Sequence, residues 1–455
     1  MNQYSKTDAS TITDIALTYA LLQRTENGSL THCPLMLSPT AITPSLLAQI
    51  ESLAQPLALL MHRVANNLDF LREQLQSAAK SDEYTSLLLS LAFEEKRDQD
   101  TLRFSITRSD YFLMQQGKGL RQVEFNTIAA SYLGLAGKIT EFHKTWSGIC
   151  QETWDLVPNK PVDRVADAFK EVMAEYGVPN ACVLFVVQEN ERNIFDQRIL
   201  EIALAERGIR VRRASLDAIG EQGELRNGHL VFNGEIVAIA YFRAGYRPDE
   251  LVSKTAYQGR RLIVQSTTIS VPDLPTHLAG TKKIQQVLTS PEVLQLFLDE
   301  EEISLVRNAF AGIYTLDDSI ELEGKTMLAS EAALSQPEQF VLKPQREGGG
   351  FNLYDDDIRQ CLTTIQPEER SFYILMERLN PPVFQGWGLR NGEIWQGDVV
   401  SEIGQFGVLI ACGEQVLTNR SMGYLVRTKF YDSNEGGISS GYGYLNSLVR
   451  TDSIT

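Results

Sequence analysis

An α/β fold with α+β regions, a mixed framework holding an inserted parallel α/β module, is what the sequence predicts. Three observations carry that expectation. Helical periodicity fills most of the first hundred residues, alternating strands begin at Arg103, and an apolar run at Ala181–Val187 opens a strand–helix–strand unit. At 455 residues the chain exceeds one comfortable core, so two or three domains or one large elaborated one is expected, with boundaries near residues 179–180 and 277–278.

In the first region Thr11 and Asp14 have capping-box spacing, with Ile12, Ile15, Ala16 and Tyr19 at helical intervals. Thr43-Pro44 is a second start signal. Pro56 predicts the start of a further helix, with Leu60, Val64, Leu68, Leu71 and Leu75 on one face and His62 at its surface. No chemistry shows here, and the region reads as scaffold.

From Arg103 the pattern turns to strands. Within Arg121–Asn126, Val123 and Phe125 face one way while Glu124 and Asn126 face the other. A carboxylate and an amide oxygen so spaced can share one hard cation. A half-exposed strand turning polar residues to water gives the same pattern. Val165, Phe169, Val172, Met173 and Tyr176 then form an amphipathic helix closed by Gly177.

Ala181–Val187 is apolar on both faces, as a central parallel strand should be. A helix from Ile194 to Gly208 and a strand Ile209–Arg213 complete a βαβ unit. Asn233-Gly234 predicts a hairpin turn, and Ile236–Tyr241 a buried strand leading to Arg243-Ala244-Gly245-Tyr246. These elements delimit the module at residues 180–277. Gln188–Asn193 stands where a dinucleotide fingerprint would follow the first strand, so a small polar ligand is expected there.

Further on, Phe340–Leu342 reads as a strand delivering Lys343, with Pro344 ending its pairing. Gly348-Gly349-Gly350 predicts a loop whose bare N–H groups approach a ligand closely. Lysine and a glycine nest suit phosphate, and Glu347 can hold the magnesium that phosphates bring; a surface hairpin loop is the plain alternative. Phe372–Glu377 reads as a strand, and Val399–Glu402 with Gly407–Ala411 as a strand pair.

Composition narrows the partners. Hydrophobic residues at 43% and charged residues at 22% suit an ordinary globular protein, and the apolar runs are too short to span a membrane. A net charge of −16 argues against nucleic acid or anionic membranes as partners. The N-terminus has no signal architecture, and five scattered cysteines outside CxxC spacing suit reduced thiols in cytoplasm.

Two motifs are decoys. Gly324-Lys325-Thr326 ends like a P-loop, but Ser319 occupies the place of its first glycine. Gly437-Ile438-Ser439-Ser440-Gly441 matches a nucleophile elbow, which needs a later histidine, and the last histidine is His277. What remains is a set of lysines (Lys282, Lys343), a glycine loop, hard-cation ligands and arginines, without a nucleophile or general base. That set suits a ligase driven by ATP through an acyl phosphate.

On Arg108–Tyr111, Glu124–Thr127, Gln188–Arg198, Leu278–Lys283, Phe340–Tyr354 and Arg427–Lys429, spread over about residues 100 to 440, the sequence resembles the eukaryotic-type glutathione synthetase family. The resemblance implies an ATP-grasp fold in circularly permuted order. Residues 1–179 would carry the metal-binding strand, 180–277 the inserted substrate module, and 278–455 the remaining ATP-grasp core with its glycine lid. It implies joining of γ-glutamylcysteine to glycine, with Mg²⁺ beside ATP as co-substrate, in a homodimer. The same chemistry with β-alanine or serine as acceptor, or an inactive homologue that binds ATP or a thiol peptide, stays open.

The resemblance also assigns residues. Glu124, Asn126 and Glu347 resemble the metal ligands. Lys282, Lys343, Gly348, Gly349, Gly350, Asn352, Tyr354 and Lys429 resemble nucleotide contacts, as do Met376, Glu377, Arg378, Leu379, Glu402 and Glu435, with Glu124 and Glu347 beside them. For the dipeptide and acceptor, Arg108, Ile128, Ala129, Ala130 and Ser131 are similar to the family's positions, as are Glu191, Arg192, Asn193 and Gln197. Arg243, Ala244, Gly245, Tyr246, Ile438 and Ser439 complete that set. Arg108, Lys282, Lys343 and Arg427 are implied as catalytic, Arg427 beside the transferred phosphate and the acceptor. Ala244 departs from the family's acidic residue, Glu435 from its Asp, and Ser439-Ser440 from a common Ala-Ala pair.

Overall fold

The computed structural model describes residues 6–95, 101–115 and 119–452. Thr43 starts a helix as expected: its Oγ1 accepts from the Leu46 N–H at 3.3 Å, and Pro44 takes the first helical position, where an N–H is not needed. That helix, Pro44–Asn66, runs on through Pro56, so Pro56 starts nothing. Leu53, Leu57, Leu60 and Val64 make a continuous buried stripe across it. Burying that stripe outweighs the roughly 3 kcal/mol that an internal proline costs.

Asn67 closes this helix and caps the next, Leu68–Ser81, by accepting from the Phe70 N–H at 3.0 Å. Leu68, Leu71 and Leu75 therefore belong to a second helix. His62 is buried rather than at the surface, with Nε2 3.1 Å from the Asn66 amide. Thr11 and Asp14 lie inside the helix Lys6–Thr18, so they form no capping box.

A seven-stranded sheet forms the framework. Its order is Phe384–Arg390, Leu35–Met36, Gly443–Asn446, Gln415–Phe430, Glu393–Cys412, Leu102–Leu113 and Leu120–Asn126. The expected pair Val399–Glu402 and Gly407–Ala411 is one uninterrupted strand, Glu393–Cys412. Gly404, between the two expected strands, continues the pairing, opposite Asp110 on one side and Leu425 on the other.

The second sheet matches the βαβ reading. Cys182–Val186 lies between Val211–Ala214 and Glu235–Phe242, all parallel, and Ile269–Val271 adds a further parallel strand. The Asn233-Gly234 hairpin forms, with Phe232 opposite Glu235. Two large apolar cores each draw residues from all three expected segments, Ile42, Leu184 and Leu294 in one, Phe104, Phe185 and Leu389 in the other.

A third, three-stranded sheet holds Ile313–Tyr314, Tyr373–Glu377 and Phe340–Pro344. Pairing does not stop at Pro344: it faces Tyr373, and the Gln345 N–H donates to the Phe372 carbonyl at 2.9 Å. Pro344 shares its orientation with Leu342, whose N–H serves the opposite, edge side of the strand, so the ladder asks for no donor there. The decoy at Gly324 is the turn of a hairpin between Ser319–Leu322 and Lys325–Leu328, with Glu323 and Gly324 at φ +51° and +76°. All five cysteines are free. Among the described residues no helix is long and apolar enough to cross a membrane.

Candidate functional site

The site is written in the register of the large sheet. Along Leu102–Leu113, Arg108 and Asp110 stand two apart on one face, followed by Phe112. Asn126 and Glu124 lie opposite Arg108 and Asp110 on one neighbour; Glu402 lies opposite Phe112 on the other, and Arg427 opposite Glu402. Four strands thus present their charged residues to one cleft of about 880 Å³, at the upper end of small-ligand sites and large enough for a nucleotide with a second substrate.

Electrostatics bind this face together. The fully buried Asp110 accepts from Arg108 Nε at 2.6 Å and Nη2 at 2.7 Å, from Asn126 Nδ2 at 3.0 Å and from Arg427 Nη2 at 2.9 Å. Arg427 also bonds Glu402, Nε to Oε1 at 3.0 Å, and lies 4.0 Å from Glu124. Burial alone would push the Glu124 carboxyl up. Lys282, Lys343, Arg427 and Arg108 more than offset burial and hold it at about 2. Burial pushes the Glu402 carboxyl up. Although burial opposes it, Glu402, Asp110 and Glu124 together raise the Arg427 pKa.

Both predicted lysines reach the same cleft. A bulge between Asp110 and Tyr111 leaves Val123 as the extra residue of its strand, and Lys343 Nζ donates to the Val123 carbonyl at 3.0 Å. Lys282, in the first turn of a short helix, lies 3.3 Å from Glu347 Oε1. Burial lowers the Lys343 pKa, whereas at Lys282 the Glu347 and Glu124 carboxylates overcome burial and raise it.

The glycine stretch is a closed excursion, because Leu342 and Leu353 exchange backbone bonds of 3.1 and 2.9 Å at its base. Gly348 and Gly350 take φ of +86° and +93°, which side-chain-bearing residues rarely adopt. At its tip the Gly350 N–H donates to Glu435 at 3.2 Å, so the loop meets the 434–440 segment over the cleft.

The other half of the cleft belongs to the parallel module. Buried Arg243 donates to the Ala130 carbonyl at 3.0 Å and to Ser131 Oγ at 2.8 Å, while Arg108 Nη1 reaches the Ser131 carbonyl at 3.2 Å. Two arginines therefore grip one short segment ahead of the helix Leu133–Ile149. Glu191 accepts from the Asn193 N–H and from Gln197 at 2.7 Å.

Most of the sequence-predicted residues line this cleft, Arg108, Glu124, Asn126, Lys282, Lys343, Glu347, Glu402 and Arg427 among them. Five lie outside the lining. Ala130 lends a carbonyl, Gln197 braces Glu191, Gly350 meets Glu435, and Ala244 is buried next to Gly245, whose N–H and carbonyl engage Glu250 and Tyr84. Arg192 lies in the lining and pairs outward with Glu26 at 3.6 Å. Ser440 donates to the Gly437 carbonyl at 3.0 Å, and Ser439 Oγ pairs with Tyr132 OH at 2.6 Å.

Sequence reasoning missed several supports. Asp110 is one. Asp196 accepts from the Tyr132, Gly134 and Leu135 N–H groups and so caps the helix that follows Ser131. Glu250 accepts from the Gly245, Tyr246 and Arg247 N–H groups and from Gln188, which fixes the Arg243–Tyr246 loop. Val341 and Val400 supply apolar lining two residues before Lys343 and Glu402. The period-two rule for strands was the available signal for Val341, Val400 and Asp110.

Comparison with known proteins adds the following. The family model for the ATP-binding domain of eukaryotic glutathione synthase matches residues 2–449. A chloroplastic glutathione synthetase of Solanum lycopersicum is 37% identical over 92% of this chain and 77% of its own length. Human glutathione synthetase is 35% identical over 95% of this chain and 94% of its own. Among solved structures, a glutathione synthetase-like effector from Globodera pallida in apo form superposes with a TM-score of 0.77, covering 97% and 96% of the two chains. Its 20% identity speaks for the fold alone.

Proposed function

The chain belongs to the family of eukaryotic glutathione synthases, and from that premise we propose how its cleft joins γ-glutamylcysteine to glycine with ATP as the driving substrate. The observation that carries the reading is the convergence of Lys282, Lys343, Arg108 and Arg427 in one cleft of a chain whose net charge is −16. Four cations gathered among the carboxylates of one cleft have a use where phosphate and carboxylate oxygens must meet.

In the reaction the cysteinyl carboxylate attacks the γ-phosphorus of ATP, the bond to the β-phosphate oxygen breaks, and ADP leaves. The glycine amine then attacks the acyl carbon, the bond to phosphate breaks, and the amine gives up a proton as the peptide forms. Lys282 and Lys343 neutralise the phosphates from one side, and Arg427 stands where negative charge accumulates during both transfers. Arg108 and Arg243, anchored on the Ser131 segment, orient the dipeptide. Met376–Leu379 with Val341 and Val400 suits the adenine, and the Gly348–Gly350 loop closes over the phosphates.

Magnesium fits the donor set. Asn126 spends its Nδ2 on Asp110 and the Arg108 carbonyl, which leaves its Oδ1 for a cation beside Glu124 and Glu347. Two carboxylates and an amide oxygen are hard ligands of the kind Mg²⁺ takes, with phosphate oxygens and water completing the shell. Bound there, the ion would neutralise phosphate charge during transfer.

A homodimer and a cytoplasmic setting belong to the same reading. Five free cysteines suit a reducing compartment, and sedimentation should return twice the chain's 50.9 kDa. The test of function is ADP release with γ-glutamylcysteine, with and without glycine. Release that requires both substrates is expected. Release indifferent to the dipeptide, or none at all, would overturn the proposal.

A further inference from the structure

Resting on that reading and deepening it, we propose that Asp110 is a positioning residue. One buried carboxylate sets the two cleft arginines and the Asn126 amide in their working orientations before any ligand arrives. Its four hydrogen bonds all go to side chains of the cleft: two to Arg108, one to Asn126 and one to Arg427. A structural ion pair needs only one cation, whereas this carboxylate takes two guanidinium groups and brings like charges together. Without it the two guanidinium groups repel, Arg108 being left with the Ser131 carbonyl and Arg427 with Glu402.

The bonding also decides which edge of each group remains. Asn126 is left with its oxygen, and Arg427 with Nη1, which makes no hydrogen bond among the described residues. Arg108 keeps Nη1 at the Ser131 carbonyl. The Asn126 oxygen suits a cation, and Arg427 Nη1 suits a phosphate or a carboxylate, while Arg108 is fixed at every nitrogen.

A second observation comes from the neighbouring strand. Opposite Asp110 stands Gly404, in ordinary extended backbone. A Cβ at that position would lie 2.5 Å from Asp110 Oδ1 and 2.7 Å from Arg108 Cδ. The facing strand is bare where the Asp110–Arg108 fork needs room, so the arrangement can be disturbed by shape without touching any charge.

The experiment uses the full chain with three readouts: steady-state ADP release, calorimetric affinity for a non-hydrolysable ATP analogue, and a thermal melt. For Asp110→Asn, which puts a donor among donors, kcat should fall about 10- to 100-fold, as for groups that orient functional ligands. KM for γ-glutamylcysteine should rise while analogue affinity stays within about threefold and the melt stays cooperative. Gly404→Ala should move the same parameters in the same direction by less. A folded Asp110→Asn enzyme with wild-type kcat, or one losing analogue affinity in step with kcat, overturns the proposal. If Asp110→Asn does not fold, Gly404→Ala decides: lowered kcat at unchanged analogue affinity upholds the proposal, and unchanged kcat refutes it. Wild-type protein that releases no ADP with both substrates would instead sink the proposed function, and this inference with it.

Discussion

Replacing Glu124 with glutamine tests the charge balance of the cleft most directly. The Glu124 carboxyl is held at about 2 instead of an ordinary 4.5, against the opposing effect of burial. That difference corresponds to about 3 kcal/mol of net favourable interaction with Lys282, Lys343, Arg427 and Arg108. Because the folded-state pKa is depressed, this stabilisation is complete above the ordinary value near 4.5 and is lost as pH falls towards about 2. Glu124→Gln should therefore lower the free energy of unfolding at pH 7 by about 3 kcal/mol without ligand, and the deficit should shrink below about pH 4.5. Urea titration at low ionic strength measures it. Turnover at saturating Mg²⁺ should fall on the order of a hundredfold, as when a charge-stabilising group is removed. Metal-free ATP should bind the variant at least as well as wild type, since a carboxylate has left the phosphate site. Near-wild-type turnover with unfolding free energy within about 1 kcal/mol of wild type would refute the reasoning.

Three further outcomes are expected. Arg427→Ala should reduce kcat by about a hundredfold with little change in ATP affinity, because its charge matters most as negative charge redistributes; unchanged kcat with weakened ATP binding would remove it from that role. Limited proteolysis near Gly349 should slow when a non-hydrolysable ATP analogue is present, since phosphate contacts offset the ordering entropy of three glycines; equal cleavage in both states would count against a lid. In competition between equimolar amines glycine should win over serine and β-alanine, because the Ser439 and Ser440 hydroxyls are already engaged by Tyr132 and the Gly437 carbonyl. Another amine beating glycine in wild type, with glycine restored by Ser439→Ala/Ser440→Ala, would favour the alternative acceptor.

The cleft's cations and the carboxylates Glu124, Glu347 and Glu402 beside them were legible in the sequence, whereas the supporting Asp110, Asp196 and Glu250 were not. Lys343 stood at the end of an apolar strand beside three glycines, and Glu124 and Asn126 shared a strand face, patterns that local periodicity makes visible. The βαβ unit was legible for the same reason, since strands buried on both faces read as unbroken apolar runs. Pro56 and His62 misled because a local rule met a tertiary override: a long buried stripe carries the helix through a proline and encloses a polar ring.

Asp196 and Glu250 show a different limit. Asp196 caps a helix that starts more than sixty residues earlier in the chain, and Glu250 binds three consecutive N–H groups of a loop that is itself tertiary in origin. A cation's use in a ligand site follows from its own charge, but a carboxylate's use depends on which donors surround it. Asp110 lies between these cases. Its place two residues from Arg108, on the same strand face, was readable by period two. What was not readable is that Gly404 leaves room for it and that Arg427, 317 positions away, shares its oxygen. Those facts need the sheet register, which brings side chains of two further strands, Asn126 and Arg427, to this one carboxylate.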